Sequence, residues 1–277
     1  MPFCRISFIR LLATLLLANL LPPAATAQDR GPRPGIVLMH GKGGSPEKHV
    51  ADLAASLTRR GFLVANLEMP WSGRRDYDGD VQTAESEVAT ALTSLRQQGA
   101  SKVFVAGHSQ GGLFALYVGG RQAVAGIIAI APGGNVASPL FREKLAEPVD
   151  LARRLVAEGK GQEKARFADF ESARGVYPLV TTPAAYLSWF DPDGAMNQGR
   201  AIRAIGPATP VLYIVPGNDY PGLLKVKQDM FGLLPGHPLT RLYEPNSSHL
   251  GAPSAAAEEI ANWVAEVVTS PQATGIR

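Results

Sequence analysis

The segment Gly107-His108-Ser109-Gln110-Gly111-Gly112 frames a serine with glycines. It directly follows the short apolar run 102–106 and precedes the apolar stretch 113–118. A serine at such a strand-to-helix junction is the arrangement of a nucleophile elbow. The chain has to turn sharply there, so positions two before and two after the serine cannot carry bulk, and Gly107 and Gly111 meet that demand. The turn lifts the hydroxyl above the sheet and points the following amides at the same space. A hydroxyl becomes a nucleophile only beside a base, and the base needs a carboxylate to fix its tautomer. Five histidines are available. His40 ends the first strand, His49 falls in the first helix, His108 adjoins the nucleophile on its buried side, and His237 precedes the last strand at the opposite end of the sheet. His249 alone lies in the loop beyond that strand, at the carboxyl edge where Ser109 emerges. Asp219 follows the strand 211–215 in Pro216-Gly217-Asn218-Asp219, at the same edge. Asp191 and Asp193 belong to Asp191-Pro192-Asp193-Gly194, which reads as a turn, and Asp229 sits in a helical stretch.

With these residues in place the chain resembles the α/β-hydrolase superfamily over roughly residues 34–268, through the G-x-S-x-G segment and the order Ser109, Asp219, His249. The resemblance implies an oxyanion hole built from backbone amides. One donor is the amide of Gln110. The other comes from His40-Gly41-Lys42-Gly43-Gly44, which is similar to an HGGG-type segment with a lysine at one glycine position. Gly41 or Lys42 supplies it, with Lys42 preferred by its distance from the strand end. The amide is the working group there, so the lysine side chain does not remove the donor.

Elements that could position these residues follow from periodicity. Residues 35–40, 62–67, 102–106, 126–131, 210–215 and 239–243 read as buried strands. Between them, Ser45-Pro46-Glu47 offers a helix start, Val50, Leu53, Ala54 and Leu57 continue at helical spacing, and Gly61 stops the helix. Residues 81–95 and 254–268 carry the same periodicity. Strands alternating with helices predict an α/β fold: a mostly parallel sheet of about six strands with helices on both faces. Almost 80 residues separate Ala131 from Pro210, far more than a crossover needs. This stretch is charged over 141–170 and then aromatic. In the resembling superfamily an insertion here forms a cap, expected at about residues 133–205.

The first 27 residues read as a cleavable signal peptide, with Arg5 and Arg10, an apolar core over 11–21 and Ala25-Thr26-Ala27. That core is shorter than the roughly 20 residues a membrane span needs, so no stable membrane anchor is expected, and the location is periplasmic or secreted. The domain proper is expected over 28–277. Cys4 is the one cysteine; without it a disulfide framework, thiolate metal ligands and a cysteine nucleophile are all excluded. Removing Arg5 and Arg10 from the 27 basic residues leaves 25 against 24 acidic ones, a net charge of +1. Nothing in that balance points to nucleic acid. There is no HExxH or other metal motif, and no cofactor is implied.

The implied chemistry is acyl transfer: cleavage of a carboxylic ester or related acyl bond in a small-molecule substrate through an acyl-enzyme on Ser109. An acyltransferase or a peptidase would use the same parts, and a non-catalytic binding protein would waste them. Trp71, Trp189 and Phe190, with Met69 and Pro70, either line the substrate or pin the insertion to the main domain. Lys42, Arg74 and Arg75 either meet a carboxylate on the substrate or are solvated surface charges.

Overall fold

The computed structural model describes Met1 and residues 33–270; the segment read as a signal peptide lies outside the described residues. Along the chain run β1 (Gly35–Met39), α1 (Ala51–Arg59), β2 (Leu63–Leu67), α2 (Val81–Gln97), β3 (Val103–His108), α3 (Gln110–Gly119) and β4 (Gly126–Ile130). Then come α4 (Pro139–Ala157), β5 (Ala165–Glu171), β6 (Gly175–Thr181), α5 (Pro183–Phe190) and α6 (Gln198–Arg203). The chain closes with β7 (Val211–Ile214), α7 (Pro221–Gly232), β8 (Arg241–Tyr243), α8 (Ala252–Ala255) and α9 (Ala257–Thr269).

Six strands form one sheet in the order β2-β1-β3-β4-β7-β8, with every adjacent pair parallel. Parallel neighbours need crossovers, and the helices that supply them cover both faces. Alternate residues of each strand therefore enter different cores. Ile36, Leu38, Phe104, Ala106, Ile128 and Ile130 pack with Leu53 and Leu57 of α1 and with Ile260, Trp263 and Val264 of α9. Val37, Met39, Val105, Ile127 and Ala129 pack on the other face with Val88 and Leu92 of α2, Leu113 and Phe114 of α3, and residues of the 131–210 stretch. Among the described residues no helix is long and apolar enough to cross a membrane.

Two local expectations need correction. Ser45-Pro46-Glu47 does not start α1; it forms a turn in which Lys48 N donates to Ser45 O at 3.1 Å, and His49 then takes φ +57°. A residue in that left-handed conformation cannot belong to a helix, so α1 begins at Ala51 and His49 precedes it. The closing helix is two helices, α8 and α9, separated at Ala256. Residues between β4 and β7 hold α4, the antiparallel hairpin β5–β6, α5 and α6.

Candidate active site

The β3–α3 junction follows from its glycines. Ser109 sits at φ +55° and ψ −117°, a strained conformation for a residue with a Cβ. A Cβ on Gly107 would stand 2.1 Å from Gly111 O, and one on Gly111 would stand 2.6 Å from the carbonyl oxygens of both Met39 and His40. The chain can fold back this tightly only with hydrogen at both places. Backbone bonds hold the turn: Ser109 N donates to Ile130 O at 2.8 Å, and Ser109 O accepts from Gly133 N at 3.0 Å. A Cβ on Gly41 would lie 3.1 Å from Ser109 Cβ, and one on Gly133 would lie 3.5 Å from Ser109 Oγ. The loops after β1 and β4 thus flank the serine.

The loops after β7 and β8 run side by side. Gly217 N donates to Pro245 O at 2.9 Å, Asn218 N to Ser247 O at 3.1 Å, and Asn218 bridges Ser248. This brings Asp219 and His249 together: Nδ1–H of the imidazole donates to Asp219 Oδ1 at 2.6 Å, with side-chain exposures of 7% for His249 and 0% for Asp219. The same oxygen accepts from Tyr220 N at 2.7 Å, whereas Asp219 Oδ2 is buried without a hydrogen-bond partner. The tautomer that serves Asp219 leaves Nε2 with its lone pair, as a base requires.

His108, the residue before Ser109, reaches across to the same loop. Its Nε2–H donates to the backbone carbonyl of His249 at 2.9 Å, and the two rings pack with centroids 4.9 Å apart. The His249 ring also packs against Tyr220, with centroids 4.6 Å apart. Burial, reinforced by the His249 imidazole, pushes His108 down from 6.5 to about 3, so it stays neutral and its Nδ1, which has no hydrogen-bond partner, carries no charge. His108 therefore ties the loop that carries His249 to the β3–α3 turn, a task that its place in the sequence did not disclose. His40 is buried and neutral too, its pKa lowered mainly by burial. It donates from Nδ1 to Gly41 O at 2.8 Å and accepts Met69 N–H at Nε2 at 3.1 Å.

Candidate oxyanion donors sort by what their amides already do. Gly43 N is engaged by Trp71 O at 2.9 Å and Gly44 N by Gly41 O at 3.1 Å. Among the described residues the amides of Gly41 and Lys42 make no such bond. Gln110 opens α3, where the first amides of a helix lack intrahelical acceptors. Free donors thus lie on both sides of Ser109, and anionic charge there is favoured by the helix end.

Lys42 is not a solvated surface charge. Its ammonium is 2.6 Å from Asp169 Oδ1, with side-chain exposures of 10% and 0%, and it also donates to Phe170 O at 3.2 Å. Arg74 and Arg75 are engaged on the surface, with Glu68 and with Asp78 and Glu87 respectively. Trp71, Trp189 and Phe190 are 1%, 1% and 3% exposed. Trp71 packs edge-on against Trp189 and Phe114, its indole N–H donates to His40 O, and Trp189 N–H donates to Gly79 O at 2.8 Å. In this conformation Trp71 and Trp189 fasten the 131–210 stretch to the sheet domain, while Phe190 packs against Tyr77 and also lines a cavity beside Phe141 and Leu145 of α4. Asp191 pairs with Arg153, while Asp193 and Asp229 are exposed; none is brought to His249. Asp169 and Tyr77 complete the cluster and were not singled out from the sequence. The available signal was a carboxylate in the inward phase of a strand, two residues after Phe167.

Comparison with known proteins gives three findings. A model of the alpha/beta hydrolase family matches residues 36–263. Esterase EstD of Thermotoga maritima is 27% identical over 143 residues, which cover 47% of this chain and 34% of that protein, so the match spans about a third of the relative. Among solved structures, a monoacylglycerol lipase of Paleococcus ferrophilus superposes with a TM-score of 0.60 at 19% identity, covering 85% of this chain and 96% of that one. Est1E of Butyrivibrio proteoclasticus, solved with ferulic acid bound, superposes with a TM-score of 0.58 at 14% identity, covering 88% and 93%.

Proposed function

From the premise that this chain belongs to the alpha/beta hydrolase family, we propose that it is a serine hydrolase that cleaves a carboxylic ester through an acyl-enzyme on Ser109. The observation that carries the reading is the buried His249–Asp219 hydrogen bond of 2.6 Å, on a loop tethered by His108, the residue preceding a strained serine. A buried carboxylate–imidazole pair beside an elbow serine has a chemical use that packing alone does not explain.

In this mechanism Nε2 of His249 takes the Ser109 proton as Oγ attacks the carbonyl carbon. Negative charge moves to the carbonyl oxygen, where the amides of Gln110 and of Lys42 or Gly41 stabilise it. Asp219 stabilises the imidazolium without taking its proton. The alkoxide leaves with the proton from His249, and a water activated by the same imidazole releases the acid and frees Ser109. Each oxyanion donor is worth about 2.7–4 kcal/mol of barrier. The ester preference is supported by the kinds of protein the chain resembles, which include an esterase and a lipase. Residues 133–205 act as a cap over this site, and the protein works outside the cytoplasm after removal of residues 1–27. N-terminal sequencing of the exported protein should then begin at Gln28.

The test is labelling by a fluorophosphonate together with hydrolysis of an ester panel of varied acyl length, with thioester and amide counterparts. Wild type should be labelled and should turn over esters, and both signals should vanish in Ser109→Ala. Labelling that survives Ser109→Ala, or none in the folded wild type, refutes the assignment. Partition of the acyl-enzyme to added alcohols in preference to water would make the protein an acyltransferase.

A further inference from the structure

Asp169 is a fully buried carboxylate with more donors than an isolated surface acid would hold. Oδ1 accepts from Lys42 Nζ at 2.6 Å and from Phe170 N at 2.6 Å. Oδ2 accepts from Tyr177 OH at 2.8 Å and lies 3.2 Å from Tyr77 OH. Tyr77 OH is also 3.2 Å from Gln110 Oε1. One hydroxyl proton cannot serve both acceptors at once, and the carboxylate is the stronger. Both contacts are satisfied when the Gln110 amide makes a half turn and donates its N–H to the tyrosine oxygen. Burial, followed by the nearby Asp169 charge, raises both tyrosines far above their ordinary value, so they remain neutral donors.

The cluster joins four separate pieces of chain: the loop after β1 through Lys42, the loop after β2 through Tyr77, the start of α3 through Gln110, and the β5–β6 hairpin through Asp169 and Tyr177. Tyr77 is held at φ +58°, and Thr181 of β6 donates to its carbonyl at 2.8 Å. The Lys42 ammonium also lies 5.5 Å from the Phe141 ring centroid and 5.7 Å from that of Phe190. Of the two residues whose amides would bind the oxyanion, Lys42 thus has its side chain held directly by the Asp169 carboxylate, and Gln110 is linked to it through the Tyr77 hydroxyl.

We infer that Asp169 is a positioning residue for the oxyanion hole, fixing the Lys42 amide by clamping its side chain to the inserted hairpin and the Gln110 amide through the Tyr77 hydroxyl that bridges the two. The inference rests on the serine-hydrolase reading and adds to it a residue outside the triad. An oxyanion hole works because its donors need no reorganisation as charge develops. Releasing the clamp costs transition-state stabilisation and spares ground-state binding.

Lys42→Met, Asp169→Asn and the double variant test this with p-nitrophenyl butyrate, kcat being expressed per site titrated by a fluorophosphonate. Each single variant should lose about 10–100-fold in kcat with KM within about threefold, less than the 100–1,000-fold of deleting a donor outright. The double variant should lose no more than the worse single, since both break one link. A purely structural role would lower the titrated fraction and leave kcat per site intact. That result, or losses that multiply in the double variant, overturns the inference. Should Asp169→Asn fail to fold, Lys42→Met alone gives the same readout, because it leaves the other donors to Asp169 in place. A wild type that resists labelling brings down the serine-hydrolase reading, a failure distinguishable from kcat per site persisting in the variants of a labelled enzyme.

Discussion

His108 should set the acid stability of this protein, and the size of the effect follows from its burial. Folding moves its pKa from 6.5 to about 3, chiefly because the ring loses water and faces the His249 imidazole. In the unfolded chain it binds a proton below 6.5, and in the folded protein only near 3. Between those values the unfolded state holds more protons, so stability falls as the pH falls. The contribution is complete above pH 6.5 and lost progressively down to about pH 3, where it amounts to about 5 kcal/mol. Between pH 7 and 4.5 the same relation gives a loss of about 2.5 kcal/mol from this one side chain.

His108→Asn removes the titrating ring and keeps an N–H donor for the His249 carbonyl. It should cost about 1–3 kcal/mol at pH 7, because the bond of 2.9 Å and the ring packing will not be reproduced in full. Urea denaturation of both proteins at half-unit pH steps from 7 to 4.5 isolates the effect. His40, also lowered by burial, and the carboxylates add to the acid slope of each protein and cancel in the difference. The two stability curves should converge by about 2.5 kcal/mol toward the acid end. Curves that stay parallel to within about 0.5 kcal/mol would show that the folded protein protonates His108 freely, and the argument from burial would fail.

Other expectations rest on shorter chains of reasoning. Asp219→Asn should fold normally but lose about four orders of magnitude in ester turnover, since the amide favours the wrong imidazole tautomer; near-wild-type kcat would remove Asp219 from the mechanism. Gly111→Ala drives a Cβ to 2.6 Å from two carbonyl oxygens of the β1 end, so destabilisation of about 1–3 kcal/mol or more is expected in denaturant titration, and a neutral result would contradict the elbow packing. Trp189→Ala empties a site that is 1% exposed between Trp71, Phe114 and Tyr77. It should cost about 3–5 kcal/mol, and unchanged stability would mean that the 131–210 stretch is not fastened there.

The sheet and its carboxyl-edge loops were legible because a parallel strand buried on both faces is a short apolar run with few alternatives. The six runs in the sequence became the six strands in the structure. What stayed hidden depended on tertiary partners. The β5–β6 hairpin carries Arg166 and Glu171 with exposed Val176 and Val180. The charges of β5 and Pro178 in β6 mask a strand pattern that includes Phe167, Phe170, Val176, Tyr177 and Val180, and the pairing from Ala165↔Thr181 to Glu171↔Gly175 reveals it. Neither sequence reading of Lys42, substrate contact or solvated charge, includes its ion pair, because the partner Asp169 lies 127 residues away. The start of α1 was misplaced because Ser45 and Pro46 suit a turn as well as a helix N-terminus. Local chemistry could not choose between them.

The strained residues give an argument that does not depend on any motif. Among the described residues five without glycine's freedom have positive φ: His49, Asp76, Tyr77, Ser109 and Ala131. They fall in the loops that follow β1, β2, β3 and β4, all at the carboxyl edge of the sheet. Each such conformation costs about 1–3 kcal/mol and persists only where surrounding bonds over-determine it. Such bonds are present at four of the five: Ser109 N reaches Ile130 O, Ala131 N reaches Ile214 O at 2.7 Å, Tyr77 N reaches Pro70 O at 2.7 Å, and Asp76 N reaches Ser72 O at 2.9 Å. A fold under selection for stability alone has no reason to gather strain on one edge and tie it down. Strain confined to the edge that holds Ser109, Asp219 and His249 marks that edge as the place where geometry is maintained at the expense of stability.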